Sequence, residues 1–224
     1  MKKISLSLER ETKLKITQLS SQVRNPDRVN VFIDGKYSFS LDISQVTGLG
    51  VKVGREIDEI ELEELKNESQ FGKLYARSLE YCLMRPRSVR EMSDYLWRKT
   101  RDRIGKEGRV IKGYSPSLTS RVIEKLQQRG YLDDEKFTVW WVENRHQTKG
   151  ISKRKLSSEL HAKGISSDIV NRVIKESDRD EGEELKKIIA KKQSKYSDPQ
   201  KLIAYLARQG FSYEDIKSAL ATED

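Results

Sequence analysis

The sequence predicts a mainly α-helical protein, with three tandem three-helix (helix-turn-helix-like) repeats preceded by a small β-hairpin or meander domain carrying a short helix. Two observations carry that prediction. A two-residue apolar period is confined to residues 14–54, whereas four-residue spacings, nearly free of proline, run from Gly72 onward. A glycine-apolar-serine mark also recurs at Gly113-Tyr114-Ser115, Gly164-Ile165-Ser166 and Gly210-Phe211-Ser212, its glycines 51 and 46 residues apart. With 35% hydrophobic and 35% charged residues, 4 prolines and 13 glycines, the 224-residue chain is no collagen, low-complexity linker or disulfide scaffold.

Residues 1–13 are expected to form a flexible N-terminus and 14–70 the small β-rich domain. Val29, Val31 and Ile33 share one face of a strand, and Tyr37, Phe39 and Leu41 repeat the period after a turn. Asp34-Gly35 supplies the positive φ values that a tight hairpin requires. Leu14, Ile16 and the β-branched Thr17 mark a further strand. The open face of such a meander needs cover. Asp58 is placed to cap a short helix that turns Ile60 and Leu65 inward as a lid, with Glu59, Glu61, Glu63 and Glu64 in its N-terminal half or in solvent.

The repeats are expected at 72–132, 133–178 and 180–224. Their opening helices are marked by Leu74, Leu79 and Leu83, by Phe137, Trp140, Trp141 and Asn144, and by Leu185, Ile188 and Ile189. Second helices carry the core pairs Met92/Leu96, Leu156/Leu160 and Leu202/Leu206. Third helices carry Thr119/Ile123, Val170/Ile174 and Ile216/Leu220, each pair opening six residues after a glycine. Each glycine is expected to end a helix in the left-handed conformation, the apolar residue to staple into the core, and the serine to cap the next helix. Further starts are read at Ser88 with Glu91 as a capping box, at Ser115 before Pro116, and at Ser197-Asp198 before Pro199. The first repeat departs from the others through a basic insertion at 97–112, with 7 lysines and arginines against 2 acids. That stretch either prolongs the second helix or forms a basic loop.

Charge points to the partner. The net charge is +9, yet through Gln70 there are 11 lysines and arginines against 12 acids, and thereafter 33 against 23. A sign bias confined to one region concentrates polyanions through a long-range, salt-sensitive field. Nucleic acid, or a protein coated in it, is the leading partner class. Arg85, Arg87 and Arg90 flank the start of the second helix in repeat 1, and Lys153, Arg154 and Lys155 hold the equivalent place in repeat 2. The helix dipole opposes cations there, so phosphate or acidic-surface contact competes with ordinary solvated charge as their role. For Arg98, Lys99 and Arg101 in the insertion, the same functional reading competes with disorder.

Enzyme chemistry finds little purchase. Cys82 stands alone, which excludes an internal disulfide, a CxxC pair and a cysteine-based zinc site. His146 and His161 lack HExxH spacing, and Gly48-Leu49-Gly50 with Gly54 lacks the lysine and hydroxyl ending of a phosphate loop. Asp133, Asp134 and Glu135 open a helix, where acids complement the dipole, and so read as capping groups before metal ligands. Trp140 and Trp141 point about 100° apart, placing one in the core and at most one toward a base. No catalytic residue, cofactor or metal is expected. Met1–Lys15 has no continuous apolar run and carries Glu9 and Glu11, so it reads as neither signal peptide nor membrane span, and a cytoplasmic protein is expected.

Read with its signature, the repeat resembles the RecX family of regulators of the RecA recombinase. The strongest match is Arg129-Gly130-Tyr131-Leu132-Asp133-Asp134-Glu135-Lys136-Phe137, followed by Asn144-Arg145 and Lys149-Gly150-Ile151. Leu156 to Ile165 fits the same pattern, and the hairpin from Val29 to Asp42 is similar to a front domain that some members carry. The resemblance runs from about Leu14 to Leu220, and the insertion and the residues before Leu14 depart from it. It implies binding to the RecA filament on DNA, with inhibition or remodelling of ATP hydrolysis, strand exchange and growth, and no catalytic residue. Arg145 and Lys149 match family positions. The implied partners are the filament and single- or double-stranded DNA, touched directly or only through the filament, with no membrane and a monomeric chain. The competing readings are a stand-alone helix-turn-helix DNA-binding protein and, with little support, a metal-dependent nuclease built on Asp133 and Asp134.

Overall fold

The computed structural model describes residues 13–196 and 198–221, so all of the expected flexible N-terminus but Lys13, as well as Ser197, lies outside the described residues. The chain divides into two compact units, one comprising the residues up to Leu79 with Thr100–Leu118, the other Glu80–Lys99 with the residues from Thr119 on.

In the first unit, β1 (Leu14–Ser21), β2 (Arg28–Ile33), β3 (Lys36–Asp42) and β4 (Glu56–Ile57) form an antiparallel sheet in the order β3-β2-β1-β4. The β2–β3 turn is the expected one, with Asp34 at φ 47° and Gly35 at φ 77°. Inward residues Ile16, Val31, Ile33, Phe39 and Leu41 pack with Val51, Ile57 and Leu65. A short helix α1 (Ile43–Gly48), closed by a reciprocal Asp42/Gln45 capping box, follows β3 and was not legible as a helix. The lid is α2 (Glu59–Leu83), a single 25-residue helix in place of the two that the sequence indicates. Asp58 caps it as expected, accepting from Glu61 N at 2.7 Å while the Glu61 carboxylate takes Asp58 N. Leu65 is buried, but Ile60 is 73% exposed, because the inward stripe runs through Leu62, Leu65 and Ser69. Leu83 also points to solvent.

The second unit holds α3 (Val89–Thr100, whose last residue falls in the first unit), α4 (Leu118–Gln128, whose first residue falls in the first unit), α5 (Asp134–Asn144), α6 (Lys153–Ala162), α7 (Ser167–Glu176), α8 (Glu181–Lys192), α9 (Pro199–Arg208) and α10 (Tyr213–Ala221). Second-helix pairs are buried as expected, and Phe137, Val170, Leu185, Ile188, Ile189 and Ile216 join them. In α4 the buried stripe is Leu118, Val122 and Leu126, one position off the expected Thr119/Ile123. Three leucine or valine side chains at four-residue spacing outcompete a threonine for the core. Gly164 and Gly210 end their helices at φ 83° and 99°. Gly113 does not adopt positive φ; its role is close approach, since a Cβ there would lie 2.1 Å from the Thr100 carbonyl oxygen.

The repeats are latched by the same device twice. Ser88 caps α3 by accepting from Glu91 N, and its hydroxyl donates to the Lys163 carbonyl at the end of α6. Ser152 likewise caps α6 by accepting from Lys155 N and donates to the Gln209 carbonyl at the end of α9. An acid opening the next repeat takes the first helical amide, Val89 N by Asp134 at 2.8 Å and Lys153 N by Glu181 at 3.1 Å. Orphan groups at both helix ends are thereby satisfied by a neighbour. The Glu91 carboxylate does not close the expected capping box but pairs with Arg85 and Lys163.

Candidate polyanion interface

The cations that the sequence singles out divide into those engaged internally and those facing water. Arg85 makes a two-pronged pair with Glu91 at 2.9 and 3.0 Å and lies 5.3 Å from the centre of the Trp140 ring. Arg87 is buried, its guanidinium 3.7 Å from the Tyr81 ring centre and its Nε donating to the Tyr81 carbonyl. Arg145 grips Glu159 at 2.6 and 2.9 Å beside Trp141, which raises the arginine pKa. Burial alone would raise the Glu91 and Glu159 carboxyls. The arginine hydrogen bonds, joined at Glu91 by Lys163, outweigh burial and hold both below the ordinary carboxylate range. These arginines are part of the repeat architecture.

Arg90 and Arg154 are exposed at equivalent places in consecutive repeats. Their stems cross the glycine that ends the next repeat's second helix: a Cβ on Gly164 would lie 2.9 Å from Arg90 Cβ, and one on Gly210 would lie 3.2 Å from Arg154 Cβ. Arg98 is exposed, Lys99 lies 4.9 Å from the Tyr95 ring centre, and Arg101 is exposed at the foot of the insertion. Lys149, Lys153 and Lys155 gather where repeats 2 and 3 meet, Lys153 half-buried.

There the structure adds residues that sequence reasoning missed. A cleft of about 450 Å³ between repeats 2 and 3 is lined by Lys149, Lys155, Lys191, Lys192, His146 and Tyr205, among others, and by no carboxylate. Among the described residues its lysines meet only neutral groups: Lys155 Nζ donates to Gln209 Oε1, Lys191 Nζ to the Thr148 carbonyl, and Lys192 Nζ sits 5.8 Å from the Tyr205 ring centre. Their charge is therefore uncompensated locally. His146, with its pKa lowered by burial and by the nearby Arg145, is neutral at pH 7. Lys191 and Lys192 come from the last turn of α8, where the dipole favours cations.

A second cleft at the same junction, of about 690 Å³, is lined by Glu135, Glu143, Glu176, Asp178, Asp180, Glu183 and Glu184 against Arg179 and Lys187 alone. Both of those cations pair with Glu184. Among the described residues, no group of three histidine, cysteine or acidic side chains is arranged to hold a metal. Asp133 caps α5 by accepting from Glu135 N and Lys136 N, and Asp134 serves the junction. Trp140 and Trp141 both flank the repeat 2 core, half-buried. Cys82 is buried, and desolvation pushes its thiol up to about 11, away from nucleophilic use.

Latched three-helix units with a lysine-lined cleft define a tandem helix-turn-helix-like repeat protein. Comparison with known proteins is specific. Residues 14–58 match the Regulatory protein RecX N-terminal domain, and residues 133–174 match the second three-helix domain of RecX. Regulatory protein RecX of Bacillus licheniformis is 30% identical over 93% of this chain and 77% of its own length, and that of Bacillus velezensis 33% identical over 92% and 76%. A crystal structure of regulatory protein RecX superposes with a TM-score of 0.68 at 22% identity, covering 93% of this chain and 99% of the other. The chain belongs to the RecX family of regulatory proteins. Among the described residues, no helix is long and apolar enough to cross a membrane.

Proposed function

We propose that this chain is a non-enzymatic regulator that docks as a monomer on RecA filaments on DNA in the cytoplasm and mostly inhibits recombinase ATP hydrolysis and strand exchange. The observation that carries this reading is the lysine cleft between repeats 2 and 3, four cations without a carboxylate partner among the described residues, a chemistry that suits an extended polyanion. Arg90 and Arg154 hold equivalent places in repeats 1 and 2 and extend the same grip, and Arg98, Lys99, Arg101 and Lys153 add to it. Arg85, Arg87 and Arg145 support it by holding the helices that present these groups. Many weak contacts to phosphate and acidic protein surface then sum to firm but salt-sensitive binding.

Titration into a RecA ATPase reaction on single-stranded DNA tests the proposal. Wild type suppresses hydrolysis, and the Lys149→Glu/Lys155→Glu/Lys191→Glu/Lys192→Glu variant needs roughly tenfold more protein for the same effect, a loss of about 1.4 kcal/mol. Unchanged hydrolysis with wild type overturns it, as does tight binding to one duplex sequence without any effect on the recombinase, which the stand-alone reading requires.

A further inference from the structure

The insertion in repeat 1 begins by prolonging α3 through Trp97–Thr100, but the rest of it is neither helix nor shapeless loop. It is a hairpin, β5 (Arg103–Ile104) paired antiparallel with β6 (Val110–Ile111), turned by a 3-10 segment at Lys106–Gly108. We propose that this hairpin is a wing that grips duplex DNA, giving the chain a nucleic-acid contact of its own, separate from the lysine cleft.

The foot of the hairpin is fixed. Asp102 accepts from Gly113 N at 2.8 Å and from Lys112 Nζ at 3.1 Å, and Gly113 packs directly on the Thr100 carbonyl. The tip is closed by Gly105 N donating to the Arg109 carbonyl at 2.8 Å, with Glu107 and Gly108 at positive φ. On this ribbon Ile104 is 79% exposed, Val110 57% and Ile111 40%. Two strands of two residues offer no second layer to cover three branched aliphatic side chains. Arg103, Lys106 and Arg109 stand around them, exposed and without an ion pair among the described residues. Of the two acids nearby, Asp102 is engaged at the foot and Glu107 is exposed at the tip, so against three cations the outward surface keeps a net positive charge around an apolar centre.

Duplex DNA suits that surface on two counts. A two-stranded ribbon, its strands about 4.8 Å apart, fits a major groove about 12 Å wide. The groove walls offer one phosphate charge per roughly 1.7 Å of axis to the cations, and thymine methyls to the aliphatic groups. An anionic membrane is the weaker candidate, since even a whole myristoyl chain gives only marginal anchoring and three short side chains bury less. The inference does not rest on the recombinase reading, because the test contains no recombinase.

Fluorescence anisotropy of a labelled mixed-sequence duplex with the full chain, from 50 to 200 mM salt, reads the contact directly. Replacing three phosphate contacts in Arg103→Gln/Lys106→Gln/Arg109→Gln weakens binding about tenfold or more and flattens the log–log salt slope by about 2 to 3. Ile104→Ser/Val110→Ser weakens it severalfold and leaves the slope unchanged. All five side chains are exposed, so far-UV circular dichroism and thermal melting of both variants match wild type. Equal duplex affinity and slope for wild type and the triple glutamine variant overturn the proposal. So does loss of duplex binding only in Lys149→Gln/Lys155→Gln/Lys191→Gln/Lys192→Gln, or loss of binding to phosphatidylserine vesicles but not to duplex in the hairpin variants.

Discussion

The two clefts at the junction of repeats 2 and 3 carry opposite charge, seven carboxylates on one and four lysines without an acid on the other. One helix supplies much of both. α8 opens with Glu181, Glu183 and Glu184 and closes with Lys191 and Lys192, about 10 to 16 Å apart by helical rise. The helix dipole favours that order, so separating charge along α8 is itself stabilising. The two ends differ in use, however. At the acidic end, Glu184 is buried and takes Ile151 N, Arg179 and Lys187, while Asp180 caps the helix and Glu181 latches Lys153. At the basic end Lys191 and Lys192 find only neutral partners among the described residues. The difference teaches that acid here is spent on holding the repeats together and base is left over for a ligand.

The comparison breaks most severely at Glu184. Glu184→Ala strands Arg179, whose side chain is 11% exposed, and should cost about 3 to 5 kcal/mol in urea unfolding. Glu183→Ala at the same helix end, exposed, should change stability by no more than about 0.5 kcal/mol. Equal costs would erase the structural role assigned to the acidic side. Next in size, Lys149→Gln/Lys155→Gln/Lys191→Gln/Lys192→Gln should leave the melting temperature nearly unchanged and weaken single-stranded DNA binding about tenfold at 100 mM salt. Its counterpart, Glu143→Gln/Glu176→Gln/Glu183→Gln, should move that affinity no more than about twofold, because those charges face the other cleft across screened solvent.

Acid sharpens the contrast further. Glu91 and Glu159 have depressed pKa values, so their stabilisation is fully present above the unfolded carboxyl value of about 4.3 and is lost as pH falls through the folded values. Unfolding free energy should therefore drop between about pH 5 and pH 3, and Glu91→Gln/Glu159→Gln should flatten that drop by roughly 1 kcal/mol. The smallest effect is of opposite sign. Burial raises the pKa of Asp134 and Glu181, so their ionisation opposes folding as pH rises past the unfolded value. Asp134→Asn and Glu181→Gln keep an acceptor for Val89 N and Lys153 N. Each should stabilise by up to about 0.5 kcal/mol at pH 7 and have no effect near pH 3, measured by denaturant titration at both pH values.

How far the sequence could be read follows from which forces act locally. The Asp34-Gly35 turn, the second-helix core pairs and the Pro199 start are local signals, and they hold, as does the strand alternation except at Tyr37, which is 55% exposed beside the register shift at Val31/Phe32. Ile60, Leu83 and Thr119 were misplaced because four-residue spacing fixes a helical face but not which of two adjacent faces meets the core. The β5–β6 hairpin escaped because its strands have two residues each, too short for any period. Arg85, Arg87 and Arg145 look like surface cations in one dimension, but their partners Glu91, Tyr81 and Glu159 are 6, 6 and 14 residues away. Lys191 and Lys192 join Lys149 only through the stacking of repeats 2 and 3. Their one sequence signal was a lysine pair closing a helix.

The serine latch makes the order of the units matter. Ser88 and Ser152 each reach forward to a carbonyl of the following repeat, whereas Asp198, standing where a third such serine would be, caps α9 on its own by taking Gln200 N. The second helices of repeats 1 and 2 thus borrow an anchor from downstream, and that of repeat 3 does not. Pulled from its C-terminal end, the second unit would unzip like a row of fastened links, and each released repeat would loosen the one before it.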